Sequence, residues 1–143
     1  MEDQKIAAGA LFVSAETQRI LLQLRASTKS SHNNEWSLFG GMAKNGETPS
    51  ETMLRECEEE LGELPEINKI YPFDIYESKD KSFRYYTFVV ILDDEFKPTI
   101  NKESLGYGWF DFGVWPKPMH YGARNSLGTK KAEALIDIIL GQH

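Results

Sequence analysis

At 143 residues, 41% of them hydrophobic, the chain is long enough for one packed core and too apolar for a disordered segment. Its net charge of −6 is local: residues 47–66 hold eight acids against Arg55 alone, which leaves 14 acids and 15 bases elsewhere. The chain therefore lacks the basic surplus that long nucleic acid requires of a partner. One cysteine permits no internal disulfide, MEDQK is no secretion leader, and no apolar run reaches 18 residues, so the expectation is a cytoplasmic protein without a membrane span.

In chain order, residues 5–13 and 19–25 read as two strands joined by a polar turn, with Ile20, Leu22 and Leu24 alternating against Leu21, Gln23 and Arg25. Residues 26–35 (ASTKSSHNNE) form a polar loop, and Trp36 to Phe39 a short strand entering a Phe39-Gly40-Gly41 turn. A helix follows. Residues 68–77 and 83–93 then form a strand pair around Ser78-Lys79-Asp80-Lys81, and Tyr107 to Phe112 a further strand. Thr129 to Leu140 places Ala132, Leu135, Ile136, Ile139 and Leu140 on helical spacing. No repeat or linker divides the sequence, so a single domain over residues 1–143 of mixed α/β class is expected.

The first helix carries the chemistry. Thr48 is its N-cap, Pro49 its first helical residue, Glu51 closes a capping box, and Gly62 stops it. Met53, Cys57 and Leu61, spaced by four, supply an apolar stripe. At 100° per residue, Glu56, Glu59 and Glu60 fall at about 0°, 300° and 40°, on one face, while Glu58 falls near 200°. That face should look across a cleft or toward solvent. These acids crowd the negative end of the helix dipole, and Glu56 and Glu60 repel as an i,i+4 pair. A solvated acidic face explains most such runs. A hard divalent cation with oxygen ligands, Mg²⁺ or Mn²⁺, would relieve both penalties.

The surroundings of the acidic run choose between those readings. Gly41 is followed after five residues by Glu47 and after seven more by Arg55-Glu56-Cys57-Glu58-Glu59-Glu60-Leu61-Gly62. This resembles the signature of the Nudix hydrolases, G-x5-E-x7-R-E-U-x-E-E-x-G-U, where U is a bulky apolar residue. At ordinary residue frequencies the seven fixed matches arise by chance with odds on the order of 10⁻⁸ per starting position. The chain departs from the pattern at Cys57, a small U, and at Glu63, where an aliphatic residue is usual and Leu64 stands one place later.

The resemblance implies an α/β fold of Nudix type, an α/β/α sandwich with a mixed sheet between helices. It also implies a MutT-like, metal-dependent pyrophosphohydrolase. By resemblance, Glu59 and Glu60 would be primary ligands of Mg²⁺ or Mn²⁺, Glu56 would bind or bridge a second ion, and the Gly41 carbonyl would complete the shell. Glu47 and Arg55 would brace the loop before the helix. The general base is either Glu56 or a later loop acid, for which Glu103 stands in the expected place, six residues before Trp109.

Substrate contacts are less marked. Trp36, Phe39, Tyr107, Trp109 and Trp115 are aromatic candidates for stacking on a base, although most such residues belong to cores and strands. Arg25 is a candidate phosphate contact. Pro116 to His120 resembles a loop that closes over substrate in some relatives, which makes Lys117 and His120 further candidates. The expected substrate is a small nucleotide, a nucleoside triphosphate or a nucleoside diphosphate linked to another group. A nucleotide sugar or ADP-ribose is the alternative, and a nucleotide sensor without catalysis is the rival from another class. Dimers are frequent among such proteins, so a homodimer is an open expectation.

Overall fold

The computed structural model describes residues 4–26 and 34–143. The elements are β1 (Lys5–Ser14), β2 (Arg19–Arg25), β3 (Trp36–Ser37), β4 (Phe39–Met42), α1 (Pro49–Leu61), β5 (Lys69–Glu77), β6 (Phe83–Leu92), β7 (Ser104–Asp111), α2 (Tyr121–Leu127) and α3 (Lys130–Leu140). Strand β1 is the spine of a mixed sheet. On one side it pairs parallel with β6, from Lys5 opposite Phe83 to Ser14 opposite Leu92, and β6 pairs antiparallel with β5. Its other side is shared: Val13 faces Ile20 of β2, while Ala7 to Ala10 face Met42 to Phe39 of β4. Beyond β2 the sheet continues into β3 and β7.

Alternation along β1 explains the layers. Ala8, Ala10 and Phe12 point to one face, where they meet Met53, Cys57 and Leu61 of α1 with Leu21, Phe39, Val90 and Leu92. Leu11 and Val13 point to the other, against Leu127 of α2 and Ile136 and Ile139 of α3. A strand covered on both faces reads as a continuous apolar run, and KIAAGALFVS does so. The expected helix–sheet–helix sandwich is the fold observed. The stripe of Met53, Cys57 and Leu61 is buried as its spacing requires, at 0%, 0% and 1% exposure.

Three elements differ from the sequence expectation. Phe39-Gly40-Gly41 is not a turn but strand, with Gly40 opposite Gly9 and Gly41 opposite Ala8. A side chain at Gly9 would collide with the Tyr85 hydroxyl and one at Gly40 with the Ala8 carbonyl, so two strands approach where only glycine fits. Strand β7 begins at Ser104 rather than Tyr107, its early part concealed in sequence by Gly106. Helix α2 was not expected at all; it has 7 residues and only Ala123 and Leu127 to bury. The departure at Glu63 is also accounted for: Glu63 is exposed, and Leu64 packs against the α1 side of the core in its place. Residues 27–33 of the expected polar loop lie outside the described residues.

Candidate active site

Helix α1 starts as its sequence dictates. The Thr48 hydroxyl accepts from the Glu51 backbone N–H, the Glu51 carboxylate accepts from the Thr48 N–H, and Pro49 fills the first turn. Glu56, Glu59 and Glu60 then meet different environments. Glu59 is half exposed, at 54% of its side chain, and Glu56 is largely covered at 19%. Glu60 is buried at 3%, which corrects the expectation that the whole glutamate face looks outward.

Burial of Glu60 is compensated by directed donors. The Gly40 N–H donates to its Oε1 at 2.8 Å, and Gln23 Nε2 donates to its Oε2 at 3.2 Å. Burial nevertheless dominates and pushes the Glu60 carboxyl up to about 7. The two hydrogen bonds pull the other way, while the charges of Glu56 and Glu103 add to the rise.

Arg55 organises the other acids. Its Nε and Nη2 grip Glu47 at 2.6 and 3.0 Å, Nη2 also donates to the Met42 carbonyl at 2.9 Å, and Nη1 reaches Glu56 at 3.0 Å and Glu59 at 3.3 Å. Glu47 further accepts from the Lys44 N–H and the Thr52 hydroxyl. The Arg55 guanidinium, ahead of these bonds, holds the Glu47 carboxyl down at about 2, and Glu47 in turn raises the Arg55 pKa. Loop and helix are thus clamped through one buried-edge ion pair.

Gly41 lies against Glu56. A methyl group on Gly41 would fall on the Glu56 carboxylate, so glycine leaves a cradle beside an acid. On the far side, the segment before β7 is tied to the end of α1. The Thr99 N–H donates to the Leu61 carbonyl at 3.1 Å, and Asn101 Nδ2 donates to the Glu59 carbonyl at 3.2 Å. Asn101 Oδ1 then accepts from the Glu103 N–H at 2.8 Å. This is how a residue 43 positions after Glu60 comes close enough for its charge to act on Glu60.

The donor set suits a hard cation: carboxylates at Glu56, Glu59 and Glu60, with a backbone cradle at Gly41. Among the described residues, no three acidic, histidine or cysteine groups close on one point, because Glu56 and Glu59 turn to Arg55 while Glu60 turns to Gln23 and Gly40. The three acids share a helix face rather than a single focus.

The substrate candidates separate. Phe39 belongs to the core beside Met53 and Cys57 at 0% exposure and offers nothing to a ligand, which corrects its candidacy. Trp109 donates its indole N–H to the Phe96 carbonyl at 3.2 Å and, with Tyr107, Phe96, Lys97 and Glu95, lines an open depression of about 340 Å³. Trp36 packs edge-on against Phe110, and Trp115 against Phe112. The loop expected to close over substrate is pinned instead: the Trp36 N–H donates to the Pro118 carbonyl at 2.9 Å and the His120 N–H to the Trp36 carbonyl at 2.7 Å. The His120 side chain caps α2 by accepting from the Gly122 N–H at 3.0 Å. Arg25 is half-buried at a β-bulge near Tyr85, whose hydroxyl is pushed up by burial and pulled down by that guanidinium. Sequence reasoning passed over Gln23, Ser104 and Asn101. The one signal was an amide inside the apolar run Leu21-Leu22-Gln23-Leu24.

The NUDIX domain pattern matches residues 3–127 of the chain. No curated protein sequence matches it significantly. Among solved structures, the MutT NUDIX hydrolase from Burkholderia pseudomallei is similar at 23% identity and TM-score 0.70, over 90% of this chain and 99% of that one. The NUDIX hydrolase from Nitrosomonas europaea is similar at 23% identity and TM-score 0.75, over 93% and 73%. The NUDIX domain of Shewanella oneidensis NrtR, solved in complex with ADP ribose, is similar at 14% identity and TM-score 0.73, over 95% and 90%. These structural likenesses speak for the fold. Because the family pattern itself runs from the start of the sheet through α2 and takes in the whole acidic helix, the chain belongs to the NUDIX family of hydrolases, which act on phosphoric anhydrides and generally use divalent cations.

Proposed function

We propose that this protein is a metal-dependent pyrophosphohydrolase that cleaves a small nucleotide by attack of water at phosphorus. The substrate is a nucleoside triphosphate or a nucleoside diphosphate linked to another group. The observation that supports this best is the grouping of Glu56, Glu59 and Glu60 on one helix face, with Gly41 pressed to Glu56 and the charge of Glu103 bearing on Glu60. A phosphoric anhydride resists water because its oxygens are negative. The site must neutralise them and present a base.

Glu59 and Glu60 would hold Mg²⁺ or Mn²⁺, with Glu56 and the Gly41 carbonyl completing the set. Bound there, such an ion supplies charge neutralisation and acidifies water. The chain's own groups do the remainder. Arg55 keeps Glu47, Glu56 and Glu59 in register with the loop, and Glu103 or Glu56 accepts the proton of the attacking water. Arg25, Tyr107 and Trp109 are the candidates retained for substrate contact.

A nucleotide linked to a sugar is the second reading, supported by the ADP ribose bound to the similar Shewanella domain. Release of phosphate, pyrophosphate or nucleoside monophosphate from a substrate panel, with Mg²⁺ and with Mn²⁺, tests both. Turnover of one class, lost in Glu59→Gln, supports the proposal and names the substrate. Tight nucleotide binding with no turnover on any member overturns it in favour of a sensor.

A further inference from the structure

Strand β2 carries one amide among its buried leucines, and burying a primary amide is unfavourable unless each of its groups is used. Gln23 is 1% exposed. Its Nε2 donates to the Leu38 carbonyl at 3.0 Å and to Glu60 Oε2 at 3.2 Å. The Leu38 carbonyl is an acceptor only, so it fixes which end of the amide is nitrogen. The Oε1 end therefore faces the Ser104 hydroxyl, and Ser104 is the donor in that hydrogen bond. The chain of contacts runs from Ser104 at the start of β7, through Gln23 on β2, to Glu60 on α1 and Leu38 just before β4.

Ser104 follows Glu103, and two further bonds hold this corner. The Ala26 N–H donates to the Glu103 carbonyl at 2.9 Å, and the Ser104 N–H to the Asn101 carbonyl at 3.1 Å. Gln23 thus touches the helix that carries the glutamates and, through one hydroxyl, the strand end that carries the later acid. Glu60 Oε1 is already held by Gly40, so the Gln23 bond to Oε2 removes the remaining rotation of the carboxylate about its own axis.

We infer that Gln23, relayed through Ser104, is a positioning residue that sets the plane of the Glu60 carboxylate and its distance from Glu103. A leucine or methionine would fill the same space but leave the Leu38 carbonyl, Glu60 Oε2 and the Ser104 hydroxyl without this partner. The amide is spent on aiming an acid. This inference rests on the proposed metal site of α1, so its test includes Glu59→Gln, which probes that site without touching Gln23 or its partners.

Manganese affinity is measured on the whole chain from the free-Mn²⁺ electron paramagnetic resonance signal for the native protein, Gln23→Met, Ser104→Ala and Glu59→Gln. Alongside are taken the melting temperature in chelator and kcat and KM on the substrate that the panel identifies. Gln23→Met should raise the Mn²⁺ dissociation constant about tenfold and lower kcat by a similar factor with little change in KM. Ser104→Ala should shift both in the same direction by a smaller factor. If Gln23 merely fills space, its replacement changes the melting temperature and leaves Mn²⁺ affinity at the native value. Weakened binding in Glu59→Gln with native affinity in both Gln23→Met and Ser104→Ala overturns the inference and spares the metal site. Native Mn²⁺ affinity in Glu59→Gln sinks the metal reading itself. Should Gln23→Met fail to fold, Ser104→Ala decides alone, since its hydroxyl can be removed without burying a new group.

Discussion

Arg55 and Glu47 meet edge to edge, with Nε 2.6 Å from one carboxylate oxygen and Nη2 3.0 Å from the other, and the remaining nitrogen of the same guanidinium serves Glu56 and Glu59. A planar fork does this and a point charge does not. Arg55→Lys should therefore lower kcat by about tenfold and the melting temperature in chelator by a few degrees, although charge is conserved. Kinetics and thermal melts on the purified variant check it; native values in both would show that one guanidinium does not hold the acids in place.

The same pair has an acid signature. Arg55, the Lys44 N–H and the Thr52 hydroxyl hold the Glu47 carboxyl down at about 2, below the ordinary 4.5 for a glutamate. A depressed folded value means the stabilisation is complete above pH 4.5 and declines as pH falls toward 2. The melting-temperature gap between the native protein and Glu47→Gln should be constant near neutrality, shrink below pH 4.5 and nearly close at pH 2. A gap that does not change with pH contradicts the ion pair.

Gly41→Ala should separate chemistry from folding. The new methyl must displace the Glu56 carboxylate, while the backbone remains strand and the position lies near the surface. Activity should fall about 10- to 100-fold, as small misplacements of reacting groups do. The melting temperature should stay within a few degrees. A variant with native kcat would remove Glu56 from the site.

Glu59→Gln and Glu103→Gln should differ in kind. Loss of Glu59 should weaken Mn²⁺ binding by about 100-fold or more and take turnover with it. Loss of Glu103 should lower kcat while Mn²⁺ binding stays close to native, as expected of a base near the site. Should Glu103→Gln keep its kcat, the base is Glu56.

Cys57 should be inert. Its thiol is buried on α1, 3.9 Å from the Phe39 carbonyl, and burial pushes its pKa well above the ordinary value, with Glu60 and Glu56 adding to the rise. Thiol reagents need the thiolate, so labelling should be slow in the native protein and immediate in denaturant. Rapid labelling of the folded chain would show that α1 opens readily from the sheet.

Strong periodicity and local grammar made much of this fold legible. The cap at Thr48, the stripe at Met53, Cys57 and Leu61, and the apolar spacing of α3 are all local patterns, and each survived. What stayed hidden depends on distant pairing. Gly40 and Gly41 look like a turn until Gly9 and Ala8 of β1 lie beside them. Helix α2 is too short to show a period. Phe39 looked like a ligand platform because sequence does not reveal which face of a four-residue strand meets the helix. At the site, the acids were legible by their spacing, whereas their unequal burial and the contacts of Gln23 and Ser104 depend on strands far apart in the chain.

The shared flank of β1 has one more consequence. Because β2 holds β1 only near Val13 and β4 holds it from Ala7 to Ala10, the sheet parts like a fork, and the amide of Gln23 bridges the two tines by way of Leu38. A shift of the outer tine, β2 with β3 and β7, would be felt at Glu60 through that amide. A scaffold split in this way passes any strain between its halves to the one acid buried where they meet.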